Sequence, residues 1–232
     1  ILKYLKPFVV SIITVVALLV VQAVCDLSLP DYTSNIVNVG IQQSGIENAV
    51  PSIIRESELN KLTLFMDNSD KNKVKDSYDL IDKNKLSKEA YEKEVEKYPV
   101  LKNESLYKLN NEDKETIDLL NSIMSKSIMR VSGIEMASEK GAIPNIPPNM
   151  DIWTVLAQMP KEQLKQITNP IDEKMNELDE NMINQSSIYT IKKEYKKIGM
   201  DLDKLQTNYI FKSGATMLCI ALVSMAATVT VG

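Results

Sequence analysis

Between Phe8 and Leu29 the sequence reads FVVSIITVVALLVVQAVCDLSL, with no charge before Asp26. At about 1.5 Å of rise per residue such a run reaches across a hydrocarbon core of about 30 Å, and a water-soluble helix is rarely apolar on every face over that length. The expectation is a membrane-spanning helix. A second run of the same kind, IFKSGATMLCIALVSMAATVTVG, occupies Ile210 to Gly232. The expected layout is span, large loop, span.

Charge divides along the same lines. Of 27 Lys and Arg only Lys3, Lys6 and Lys212 lie outside 45–208, and of 31 acidic residues only Asp26 and Asp31 do. The middle is therefore a near-balanced, water-compatible segment, long enough for its own core and without a basic face for nucleic acid. Histidine is absent, which removes His-based triads, HExxH sites and His–Cys zinc sites. Both cysteines, Cys25 and Cys219, sit in the apolar runs, so the middle has no disulfide. Few Gly and Pro among abundant Lys, Glu, Leu and Ile favour helix.

Lys3 and Lys6 precede the first apolar run and no comparable cluster follows it closely, which places the N-terminus in the cytoplasm and the middle outside the cell. The expected fold class is an all-α membrane protein. Its parts are a first transmembrane helix with an extracellular extension (1–43), a helical extracellular domain (44–200), and a stalk with a truncated second transmembrane helix (201–232). A cleaved signal peptide shares the basic start, but this run is longer than a signal core. The sequence lacks an initiator Met, as an internal fragment would. Gln22-Ala23-Val24 before Cys25 lack the Leu and small residue of a lipoprotein cleavage site.

Ser11, Thr14, Gln22, Cys25 and Asp26 fall on one side of the first helix at 100° per residue. Such a stripe is either part of a translocation pathway or a helix-packing face, the commoner use, and in neither case should it meet lipid. Gln22 and Asp26 are the substrate-pathway candidates. On the second helix Ser213, Thr216, Ser224 and Thr228 share a face with Ala227, a small-polar stripe that permits close packing. Lys212 is placed to snorkel to the interface. Pro30 should kink or interrupt the first helix, with Ile36, Val37, Val39 and Ile41 continuing apolar beyond it.

In the middle, Ser57 is an expected N-cap for 58–66, 67–70 a turn cluster, and Ser87 the start of a helix stopped by Pro99. Helical spacing runs through 111–132, ending near Gly133. Residues 142–150 form a Pro-rich loop, and Asp151 caps a short helix holding Trp153, Val155, Leu156 and Met159. A long helix is expected from Ile171 to Gly199, and Asp201 should cap one that continues into the second apolar run. Trp153 fits a core position better than a binding anchor. Acidic pairs such as Glu112/Asp113 and Asp201/Asp203 read as solvated helix starts, EF-hand spacing is missing, and the sequons at Asn103 and Asn184 read as chance matches.

The run LSLPDYTSNIVNVGI and the later QTNYIFKSGATML carry a resemblance. Leu29, Pro30, Ile36, Val37, Asn38, Gly40 and Ile41 match a first-helix signature, and Tyr209, Ile210, Lys212, Gly214, Met217 and Leu218 a second-helix signature, of type I ABC exporters. The likeness is to the multidrug-type half-transporters that fuse permease and ATPase. It covers about residues 1–66 and 187–232, and resembles the subgroup with a large external insertion between the first two helices. It implies an ABC transporter type 1 transmembrane region: a permease segment for efflux of drugs, lipids or peptides, in a bacterial-type plasma membrane. The implied partners are the bilayer, four further helices and a nucleotide-binding domain of the same chain, and a second half-transporter, with no nucleic acid. ATP and Mg are implied as cofactors of the full-length protein. No GxxxxGK[ST] occurs here, so this segment is not expected to be an enzyme by itself. The same layout also suits the sensor region of a two-span signalling receptor, or a mechanotransmitting permease.

Overall fold

The computed structural model describes residues 8–141 and 151–231, and the chain divides into two compact units, 1–46 with 203–232, and 47–202. The expectations for Lys3, Lys6 and the 142–150 loop lie outside the described residues.

The first unit holds two helices long and apolar enough to cross a membrane. Helix α1 spans Val9–Asn35 and continues as a π-helical segment over Ile36–Gln42. Pro30 lies inside α1 and does not end it: a proline deletes one N–H and a long helix can absorb one lost bond. The change of winding comes six residues later, at Ile36. Ser44 and Gly45 then turn the chain with φ of 57° and 79°.

The 47–202 unit is mostly helical but not all-α, which corrects the expectation for the middle. Strands β1 (Ile53–Arg55), β2 (Tyr78–Ile81) and β3 (Leu106–Leu109) form an antiparallel sheet in the order β1-β3-β2. Ile54 pairs with Tyr107, and Leu80 pairs with the same tyrosine from the other side. In β2 and β3 the buried residues are the first and last of four, so the alternation that would announce a strand is not expressed.

Helices α2 (Glu56–Leu64), α3 (Asn68–Asp76) and α4 (Lys88–Lys97) surround the sheet strands in sequence. Ser57 does not cap α2, which begins a residue earlier; its N–H instead meets Glu104 Oε1 at 2.6 Å. Residues 67–70 are not a free turn, because the Asp67 carboxylate accepts the Asp70 N–H and starts α3. Ser87 caps α4 as expected, accepting from Ala90 N–H.

Helix α5 (Lys114–Glu139) begins at its cap Asp113 and runs through Gly133 rather than ending there. A Cβ at Gly133 would stand 2.9 Å from Ile171, so this glycine serves close helix packing and not termination. Asp151 caps α6 (Ile152–Ala157), as expected. The single long helix expected from Ile171 is two: α7 (Lys161–Asn176) and α8 (Glu180–Ile198), divided where Asp179 accepts Met182 N–H and starts a new helix. Gly199 closes α8 in the left-handed region at φ 87°. Helix α9 (Leu202–Val231) follows and belongs, from residue 203, to the first unit.

The core of the 47–202 unit joins Ile53, Ile54 and Leu106 of the sheet to Leu120, Met124 and Val131 of α5 and Ile191 and Ile198 of α8. A satellite cluster of Ile134, Leu156 and Leu164 holds Trp153, whose ring meets Phe65 edge-on at 6.3 Å. Trp153 is thus part of the packing, with Lys61 Nζ 4.9 Å over its ring.

Candidate functional site

In the first unit the two sequence signatures meet. A Cβ on Gly40 would lie 2.9 Å from Ile210 Cγ1 and 3.4 Å from Tyr209 Cδ1, so the glycine of one signature gives room to the opening residues of the other. Gly45, at positive φ, would bring a Cβ to 2.9 Å from the Leu205 carbonyl oxygen. Gly214, by contrast, has open space around it, so nothing in this chain demands its lack of a side chain.

Farther along the same pair, Ser224 Oγ donates to Asp26 Oδ1 at 2.6 Å. Ser213, Ser224 and Ala227, three members of the small-residue stripe, are the buried residues of α9. Small side chains let α1 and α9 approach, and that approach brings a hydroxyl within reach of the carboxylate. Pro30 adds to the local polarity, since it has no N–H to give the Asp26 carbonyl one turn back.

Several other hydroxyls of the pair are turned inward on their own helices. Thr14 donates to Val10 O, Ser28 to Val24 O, Thr216 to Lys212 O and Thr228 to Ser224 O, all at 2.7–3.0 Å. Such bonds hide a hydroxyl in apolar surroundings without a second helix. Thr33 bonds Leu29 O and also reaches Met217 Sδ at 3.9 Å. Gln22 is half-buried and makes no side-chain hydrogen bond among the described residues. The geometry therefore joins Asp26 to α9 and leaves Gln22 outside that bond.

The 47–202 unit holds a second polar constellation that the sequence did not announce. Arg55 Nε and Nη2 donate to the two carboxylate oxygens of Glu194 at 2.9 and 2.8 Å, and the Arg55 N–H donates to Oε1 at 3.2 Å. Glu58 and Glu104 stand 3.7 and 3.6 Å from the same guanidinium, while Lys61 bridges Glu58 and Glu135 at 3.0 Å each. The Glu194 hydrogen bond, against the cost of burial, holds the Arg55 guanidinium above its ordinary value. Burial pushes the Glu58 carboxyl up, and the nearby Lys61 only partly offsets it. Beside Glu58 and Glu194 is a cavity of about 50 Å³, room for a water or two.

No protein-family model, curated protein or solved structure matches this chain. Among the described residues no cluster of three or more Cys, Asp or Glu could hold a metal ion. Glu112 and Asp113 are a helix start, with Asp113 Oδ1 accepting Thr116 N–H at 2.9 Å, and Asn184 Oδ1 accepts from the Asn121 amide at 3.1 Å. Nothing in the local sequence around Arg55 pointed to Glu194, 139 positions away. The one available signal was a charged residue directly after the apolar pair Ile53-Ile54.

Proposed function

We propose that the chain is the first helical hairpin of the permease of an ATP-driven type I ABC exporter, with α1 and α9 crossing the plasma membrane and the 47–202 unit on its outer side. The observation that carries the reading is the meeting of the two signatures, Gly40 against Tyr209 and Ile210. Two helices of membrane-crossing length and apolarity support it, as does the bond between Asp26 and Ser224, which keeps a carboxylate from facing lipid alone. Lys3 and Lys6 set the orientation by the positive-inside bias. In this reading ATP and Mg act on nucleotide-binding domains outside this segment, and the segment itself contributes helices that move, without a catalytic group. A second half-transporter completes the translocation pathway, with Gln22 and Asp26 facing its polar interior.

Two experiments test this. The residues encoded after Gly232 are expected to supply four further spans and a P-loop ATPase; a histidine-kinase or methyl-accepting module there overturns the exporter reading. For the orientation, a single cysteine at the exposed Ser69 is introduced with Cys25 and Cys219 replaced, and intact cells are treated with an impermeant thiol reagent. Labelling is expected in intact cells, and labelling only after lysis reverses the topology.

A further inference from the structure

A groove of about 650 Å³ opens in the 47–202 unit between the 64–70 segment, α5 and α7, a size ordinary for a small-molecule site. Phe65, Met66 and Leu164 give it an apolar wall. Around them stand Lys126, Lys161 and Lys165, whose charges are not met by the acids nearby. Asp172 is held by Arg130 at 2.7 Å, Asp70 by Lys73 at 3.1 Å, and Asp67 caps α3. Lys161 Nζ donates to the neutral Asn68 Oδ1 at 3.2 Å, and Lys126 and Lys165 make no hydrogen bond or ion pair among the described residues. The groove is thus apolar at one side and holds three cations without an anionic partner.

A separate observation points the same way. Ser127 lines the groove, is only 1% exposed, and its hydroxyl makes no hydrogen bond among the described residues. Serines in helices ordinarily bond the carbonyl four residues back, as Ser28 does here. The Ser127 hydroxyl makes no such bond, and it is a donor at the wall of the groove.

We propose that the groove binds a small amphipathic anion, its single acid group among Lys126, Lys161 and Lys165 with the Ser127 hydroxyl donating to it, and its apolar body against Phe65, Met66 and Leu164. Ammonium and hydroxyl donors suit a carboxylate or sulfonate oxygen, and desolvation against the apolar wall strengthens the attraction. The carboxylates of Asp67, Asp70 and Asp172 border the same opening, which disfavours a polyanion and selects for one negative group. This site is independent of the transport reading and does not require it.

Trp153 is the sole tryptophan, and its ring lies 6.3 Å from that of the groove residue Phe65, so its emission reports on the groove. The full chain, reconstituted in phosphatidylcholine vesicles, is titrated with decanoate and, separately, with decanol. A saturable emission change is expected with decanoate, at least about tenfold weaker with decanol, which keeps the body and lacks the charge. K126Q/K165Q should weaken the decanoate response by about as much, while K83Q/K85Q, which removes the same charge from exposed positions elsewhere, should keep it. Equal responses to decanoate and decanol in the unaltered chain overturn the site, whatever the folding of the variants. So does a decanoate response that the two double variants share. A lysine-dependent response to a polyglutamate peptide with none to decanoate also overturns it, by assigning the groove to a macromolecule.

Discussion

Ser224 reaches Asp26 across 2.6 Å although 198 positions separate them, a hydroxyl-to-carboxylate bond that joins the two apolar helices. Charge-assisted bonds of this kind are strong when desolvated, but bonds between membrane helices average well below 2 kcal/mol because each helix finds other partners when apart.

A coupling of about 0.5–1.5 kcal/mol is therefore expected between Asp26→Asn and Ser224→Ala in a double-mutant cycle. Thermal unfolding of the reconstituted full chain supplies the four values. Strict additivity would show that the two side chains do not act on each other.

The proposed transport role predicts that Asp26→Asn and Gln22→Leu lower substrate-stimulated activity of the full-length protein more than they lower its abundance in the membrane. Quantitative immunoblotting beside transport assays separates the two. Activity falling in step with abundance would make the polar face structural only.

Gly45→Ala combines a positive φ with a Cβ 2.9 Å from a backbone oxygen, so it should destabilise the helix pair by about 1–3 kcal/mol. Gly214→Ala meets no neighbour in this chain and replaces a helical glycine, so it should be neutral or slightly stabilising there. Thermal unfolding of both variants side by side checks the contrast, and equal losses would contradict it.

Much of this arrangement is written in short-range chemistry. Ser87, Asp151 and Gly199 could be placed because a cap or a left-handed stop depends on residues within one turn. The strands could not, since β2 and β3 are four residues each with burial at both ends, and β1 has only three residues, which carry no period. Gly133 misled because a glycine inside a helix and one that ends it look alike until Ile171 is seen against it. Asp26 and the serine stripe were each legible as polar positions on apolar helices. Their pairing was not, because it depends on the relative rotation of α1 and α9, which no local pattern encodes.

In the 47–202 unit, breaking the fork should be costly. Glu194→Gln leaves Arg55, only 16% exposed at its side chain, short of its main partner, and a loss of about 3 kcal/mol is expected. Arg55→Met with Glu194→Leu should recover most of it, because the desolvation cost disappears together with the attraction. Denaturant unfolding followed at Trp153 reads both, and a double variant as unstable as the single one would show that the charges are worth more than their burial costs.

Glu58 gives a dependence on pH. Its carboxyl is held above the ordinary 4.5, first by burial, so just above that pH the folded chain keeps a proton that the unfolded chain has released. The group's contribution is fully present below 4.5 and is lost as pH rises through the folded value. The stability difference between wild type and E58Q should accordingly shrink as pH rises from 4.5 through the folded value. A difference that grows over that range would mean that Lys61 and Arg55, not burial, govern this carboxyl.

The clasp of Arg55 on Glu194, joined by the Tyr195 hydroxyl accepting Ser52 N–H at 2.8 Å, ties the chain together close to where it enters and leaves the 47–202 unit. Tension applied between residues 47 and 202 would load these bonds together with the one from Ala49 N–H to Asn121 Oδ1. The clasp is therefore a mechanical short circuit: pulling on the two ends strains a small polar knot near β1 and α8.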